Sequence, residues 1–341
     1  MRVRLTHIDG KLPNIALMKL SAFHQQRGDE VHFTKSVWRD MLEPKYDRVY
    51  GSAIFSQSIA KADILREQFP GAIIGGTHDA SNQQTVEQFT GAESLPLDYS
   101  IYPRFEASMG FTQRGCRLKC GFCVVPRKEG ANRSEATIEE IWRGAPWPKH
   151  LHLLDNDFFG QPREQWTARH REIIDGGFRV CLNQGINVRL LDDEAAEALA
   201  AMPYYDDSFK VRRLYTAWDN IGDEARFFTG VDRLERAGVP ATHIMAYMLV
   251  GYDKRETWSR VLYRFTKMVE RGIRPYPMIY GDRERSLPVG DAPAYCARRT
   301  LKDFQRWVIR KSYNFVDFAD YDAKARGHMP KGQMHLWEVA A

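Results

Sequence analysis

The chain has 341 residues, 43% of them hydrophobic and 27% charged, with a formal net charge of +5. This is an ordinary globular composition, mildly basic, and the length calls for one large domain or two. No stretch approaches the roughly 18 apolar residues of a membrane span, the opening MRVRLTHIDGKLPN has no apolar signal core, and five cysteines make no disulfide framework in a chain this long, so a cytoplasmic protein with no membrane partner is expected.

In chain order, residues 1–93 alternate strands and helices. RVRLTHID reads as a strand. LPNIALMKLSAFHQQRGD follows as a helix, with Ile15, Met18 and Ala22 on one face and Gly28 as its stop. EVHFT and RVYGSAIF read as strands, SIAKADILREQF as an amphipathic helix and GAIIGG as a buried strand. Strands and helices at these lengths predict βαβ winding, hence an N-terminal Rossmann-like parallel-sheet domain. Residues 94–108 carry two prolines and read as a linker.

A second α/β series occupies 109–290. Its strand candidates are MGFTQRG, HLHLLDN, RVCLNQGINV, VRRLYTAWD, THIMAYMLVG and RPYPMIYG. Helical stretches at 137–143, 162–175, 192–201, 222–237 and 255–272 lie between them. Six strands separated by helices predict a partial (βα)6 barrel of TIM type or a doubly wound sheet, and in both ligands gather at the C-terminal strand ends. The polar clusters DND, NQGIN and WDN fall at such ends.

Residues 291–341 form a basic, helical C-terminal extension, with a helix expected over 293–314. Its spacing lines up Arg298, Lys302, Arg306 and Arg310, with Leu301, Phe304 and Val308 on the packing face. Residues 296–331 hold nine Lys or Arg against four Asp. Such a stripe suits phosphate tracking, with Trp307 and Tyr313 as stacking partners; a solvated helix face is the plainer alternative.

The most informative segment is RGCRLKCGFCVVPRKEG, in which Cys116, Cys120 and Cys123 take the spacing C-x3-C-x2-C. In a reducing compartment, clustered cysteines read as metal ligands. Structural zinc takes four ligands, usually as two pairs, and here Cys181 and Cys296 stand alone. Three thiolates suit an iron–sulfur cluster with one iron left open.

CRLKCGFC, with Phe122 just before the last cysteine, resembles the motif of the radical S-adenosylmethionine (SAM) superfamily, and the resemblance extends over about 108–290. It implies a [4Fe–4S] cluster on Cys116, Cys120 and Cys123, with SAM chelating the open iron. It further implies one-electron cleavage of SAM to methionine and a 5′-deoxyadenosyl radical, which abstracts hydrogen from a substrate. The electron would come from a flavodoxin or ferredoxin-like protein. By the same resemblance, Asp155, Asn156 and Asp157 after the second strand are candidates for the SAM amino group, in place of the commoner Gly-Gly-Glu. Gln184, Asn187 and Arg189 follow the third strand as candidates for SAM or substrate; Thr216 and Asp219 on the fourth are candidates for the ribose; Val250 on the fifth is a candidate for adenine.

A Rossmann-like domain before such a barrel resembles the cobalamin-binding (B12-binding-like) domain. The family's Asp-x-His-x-x-Gly is missing: THIDG places His7 and Asp9 in the reverse order, and Gly75, Gly76 and His78 offer only a turn near a strand end. Cobalamin is therefore the lesser expectation. The methylthiotransferase branch needs further cysteines, and none precedes Cys116. The expected function is a radical SAM enzyme acting on a nucleic acid or nucleotide-linked substrate. A cobalamin-dependent methyltransferase and a non-catalytic metal-binding nucleic-acid module are the alternatives.

Overall fold

The structure, a computed structural model, describes residues 1–79, 84–92 and 94–323. It is a mixed α/β protein that divides into two units, Met1–Glu106 and Ala107–Ala341.

In the first unit, β1 (Arg2–His7), α1 (Ile15–Gln26), β2 (Glu30–Thr34), β3 (Arg48–Ser52), α2 (Ile59–Gln68), β4 (Ile73–Gly75) and α3 (Val86–Thr90) follow in order. The four strands are all parallel, in the order β2-β1-β3-β4. Alternation along the strands sends Val3, Leu5 and Tyr50 to one apolar cluster with Leu17 and Leu20, and Val49 and Ile74 to another with Ala62 and Leu65. Both faces of the sheet are thus covered, as parallel sheets require. Asn14 starts α1 by accepting from the Leu17 N–H at 3.2 Å, and Gly28, at φ +75°, follows its end. The stretch read as a linker packs within this unit. Asp98 binds Ser21 at 2.5 Å and Gln25 at 2.8 Å, and buried Tyr102 accepts from the Asn14 N–H at 3.1 Å.

The second unit begins with β5 (Ser108–Gly110), β6 (Gln113–Arg114), α4 (Val125–Lys128), β7 (Arg133–Ser134), α5 (Ile138–Ile141), β8 (His150–Leu153), α6 (Arg163–Asp175) and β9 (Arg179–Leu182). It continues with α7 (Asp193–Ala201), β10 (Leu214–Ala217), α8 (Glu224–Arg236), β11 (Ile244–Val250), α9 (Trp258–Glu270), β12 (Arg274–Ile279) and α10 (Leu301–Ile309). Two parallel sheets, β5-β8-β9 and β10-β11-β12, are joined where the Ile186 N–H donates to the Tyr215 carbonyl at 2.8 Å. Period-two alternation sends Leu151, Leu153, Val180, Leu182, Leu214, Ala246, Met248 and Val250 into one large core with the helices. The opposite phase carries Met109, His152, Cys181, Tyr215, Tyr247 and Tyr276, none of which joins that core.

Two expectations need correcting. MGFTQRG is not one strand: it breaks after Gly110, because the Thr112 and Gln113 amides turn to Asp155 and Gln113–Arg114 then pairs antiparallel with Arg133–Ser134. The 293–314 helix is also broken. Thr300 forms a capping box with Asp303 and begins α10 there, which leaves Arg298 in a preceding 3-10 turn and out of the stripe. Trp307 and Tyr313 pack with Phe265 in the core, and the Trp307 indole donates to the Val316 carbonyl at 2.9 Å, so they are not free to stack on bases. Lys302 pairs with Glu284. Three further basic residues of the proposed tail, Lys324, Arg326 and Lys331, lie outside the described residues.

Candidate metal and cofactor site

Cys116, Cys120 and Cys123 are free thiols, each half-exposed, on the loop between β6 and β7. The antiparallel β6–β7 pair closes the base of this loop. Gly115, at φ +77°, makes the turn into it, where an added Cβ would lie 2.2 Å from the Ala131 carbonyl oxygen. Inside the loop the Leu118 N–H points at the Cys116 sulfur at 3.4 Å, and the Cys123 N–H donates to the Cys120 carbonyl at 3.0 Å. Burial pushes the Cys116 and Cys123 thiols up, and the neighbouring thiols add to the rise, so the group favours its protonated form until a cation arrives.

Two hubs brace the loop. Glu129 accepts from the Gly115 N–H at 3.1 Å, Arg114 at 3.1 Å and the Asn156 amide at 2.7 Å. Buried Gln113 donates to the Arg114 and Gly115 carbonyls at 2.6 and 2.7 Å and accepts from the Asp157 N–H at 2.9 Å. Arg117, between the first two cysteines, forms a two-pronged ion pair with buried Asp157 at 2.7 and 3.0 Å.

The candidates from the sequence fall into distinct places. The Asp155 carboxylate accepts from the Thr112 and Gln113 amides and the Thr112 hydroxyl. Burial raises its pKa to about 7 against these bonds. It continues the core-facing phase of Leu151 and Leu153, and the structure gives it a bracing role rather than a ligand's. Asn156 and Asp157 reach the cysteine loop through Glu129 and Arg117. Gln184 is exposed. The half-buried Asn187 holds a buried amide nitrogen with no hydrogen-bond partner. Arg189 pairs with Asp223 at 2.6 Å; burial opposes its charge, but Asp223 and the adjacent Cys120 outweigh that and hold it charged. The Thr216 hydroxyl is committed to the Ile186 carbonyl at 3.0 Å. Asp219 accepts from the Leu249 N–H at 2.9 Å; burial raises its pKa, and its charge is felt at Cys123. Val250 is fully buried core. Phe122 meets Tyr252 edge-on at 5.4 Å.

Loops after β8, β9, β10 and β11 therefore each bring a side chain to one cysteine loop: Asp157, Arg189, Asp219 and Tyr252. Tyr252 was not legible in the sequence, since a lone tyrosine after a strand carries no signal. Arg117 and Glu129 stand within the cysteine segment, but Asp157 and Asn156, which they bind, lie outside it. Arg264 of α9 was also hidden. Buried on all sides, it donates to the Trp218, Asp219 and Leu249 carbonyls at 3.0 Å each and pairs with Glu256, so it sets the ends of β10 and β11.

Among the described residues no group of three or more His, Cys, Asp or Glu side chains converges to hold a single metal ion. Sulfurs sharing one tetrahedral zinc must approach to about 3.8 Å, given Zn–S bonds of about 2.3 Å. Thiolates on separate irons of a cluster have no such requirement. In the first unit, the Tyr102 hydroxyl accepts from the Asn14 N–H at 3.1 Å and shares a hydrogen bond with His7 Nδ1 at 3.1 Å. Burial keeps His7 neutral. No protein-family model matches the chain, and no curated protein matches it.

Proposed function

We propose that the protein is a radical SAM enzyme, its second unit a partial (βα)6 TIM-type barrel and its first a Rossmann-like domain. The observation that carries this reading is the gathering of Asp157, Arg189, Asp219 and Tyr252, from four successive strand ends, around the loop of Cys116, Cys120 and Cys123. The donor set fits: three half-exposed thiols on a braced loop suit a [4Fe–4S] cluster, and the unpaired Asn187 amide is a donor in want of an acceptor. When bound, the cluster and SAM supply reductive C–S cleavage and hydrogen-atom abstraction.

The chain's own residues supply position and electrostatics. Asp157 and Glu129 fix the loop through Arg117 and Gly115. Arg189, beside Cys120, offsets thiolate charge. Asp219 presents its second carboxylate oxygen to a hydroxyl or ammonium group. Phe122 and Tyr252 form a wall that limits water. An electron donor of flavodoxin or ferredoxin type and a cytoplasmic setting belong to the same proposal. Cobalamin-assisted methyl transfer is the weaker reading, because the Asp-x-His-x-x-Gly motif is missing. The nucleic-acid preference rests on the charge of the tail alone, since Trp307 is core and Tyr313 is packed against it.

The test is anaerobic. The protein is reconstituted with iron and sulfide, reduced and given SAM, and 5′-deoxyadenosine is quantified with and without DNA or RNA. Product is expected from the wild type and none from Cys120→Ala. A Cys120→Ala variant that kept its full iron and its activity would refute the assignment.

A further inference from the structure

The inner phase of β10, β11 and β12 carries three tyrosines. Tyr215 and Tyr247 lie nearly parallel, 14° apart with centroids at 6.1 Å, and Tyr276 stands across Tyr247 at 88° and 5.6 Å. Together they form an angled notch. Their rings are half-buried, yet among the described residues no hydroxyl has a hydrogen-bond partner, and none is sealed from solvent.

Its floor is closed. The turn 206–211 is pinned by Asp206, which accepts from the Ser208 hydroxyl at 2.9 Å and the Lys210 and Val211 amides at 3.1 and 3.3 Å. That turn holds Phe209 at φ +57°, stacked on His150 at 4.6 Å and edge-on to His152 at 4.8 Å, at the start of β8. Burial keeps His152 neutral, and burial also raises the Cys181, Tyr215 and Tyr247 groups, the last to about 12. The charge that all four feel is a carboxylate, Asp207. Arg213, near Tyr215, is engaged by the Thr242 carbonyl at 2.9 Å.

The same phase leads upward from Tyr215 through Ala217 to Asp219, beside Cys123. Four residues at ~3.3 Å each put the ring about 13 Å below that carboxylate, which leaves depth for a cofactor between.

We propose that this notch seats the reacting part of the substrate, and that this part is a planar heteroaromatic ring of nucleobase type, stacked on the tyrosines with its edge bonded to their hydroxyls. This rests on the enzyme reading above and narrows its substrate class. Stacked rings select a flat ring. The unpaired hydroxyls select a ring with polar edges, since a hydrocarbon would leave them unsatisfied once water is displaced.

The test uses the full chain, as purified, with adenosine, guanosine, cytidine and uridine as probes. Ribose is the ring-free control. Binding is read by intrinsic fluorescence and calorimetry. At least one nucleoside is expected to bind saturably and ribose not at all. Tyr247→Leu and Tyr276→Leu should each weaken binding about tenfold, the loss of one stacking partner. Tyr247→Phe, which keeps the ring, should melt as wild type and lose less. Absence of saturable binding by every nucleoside, or wild-type affinity in both leucine variants, overturns the proposal. The 5′-deoxyadenosine assay on the same preparation separates the two readings. Product without nucleoside binding sinks the ring site alone. Nucleoside binding without product leaves the ring site standing and counts against the enzyme.

Discussion

The buried pair Arg264–Glu256 offers the sharpest test of how the site is built. Arg264 leaves α9 and is fully surrounded, and its donors serve three backbone carbonyls at the ends of β10 and β11 besides Glu256. Glu256 in turn accepts from the Gly251 amide. Glu256→Gln keeps the shape and an oxygen to accept one bond, but it removes the charge and turns one acceptor into a donor. Removing one charge of a buried pair costs about 3–5 kcal/mol. Here the three carbonyls still hold the guanidinium, so the expected loss is smaller, about 2–3 kcal/mol. For a unit of this size each kcal/mol lowers the melting temperature by about 2–4 °C, so the variant should melt roughly 8 °C lower by circular dichroism. Arg264→Met should cost more, because it leaves Glu256 and three carbonyls unmatched at once. Replacing both partners by methionine should recover part of that loss. A Glu256→Gln variant melting within about 1 °C of wild type would mean that the pair behaves like an exposed one, and the account of Arg264 as the organiser of these strand ends would fall.

Three further outcomes are expected. Gly115→Ala places a Cβ against the Ala131 carbonyl in a left-handed turn, a cost of more than about 1–2 kcal/mol; it should impair iron–sulfur loading, read by visible absorbance after reconstitution, while Gly130→Ala, with open space at its Cβ though also left-handed, should load better. Trp307→Ala should destabilise by about 3–5 kcal/mol in denaturant unfolding, as a core truncation; a variant of wild-type stability with weakened nucleic-acid binding would restore the stacking role. For Asp155 the folded pKa of about 7 lies above the unfolded value of about 3.9. Its contribution to stability is complete below about pH 4 and is lost as pH rises through about 7. Asp155→Asn should therefore remove a fall in melting temperature between pH 4 and 8, and an unchanged pH profile in the variant would contradict the burial seen here.

What could be read in the sequence was local, and what was missed depended on phase or on distant partners. The six strands of the two parallel sheets of the second unit were visible in the sequence, the antiparallel β6–β7 pair was not, and the cysteine motif was visible because its three cysteines lie within eight residues. DND showed that polar residues end β8, but not that Asp155 stays in step with Leu151 and Leu153 while Asn156 and Asp157 turn to the cysteine loop. Helical spacing from 293 to 314 suggested one stripe, yet the Thr300–Asp303 box outweighs spacing by satisfying the first amides at that point. Tyr215, Tyr247 and Tyr276 passed as ordinary strand aromatics, because sequence does not say which alternate face a helix layer will cover. Here the helices take the Leu214, Ala246 and Met248 phase, and the tyrosines are left on the other. That choice of phase turns a set of β-forming residues into a candidate pocket, and it places Asp219 above them on the same side of β10.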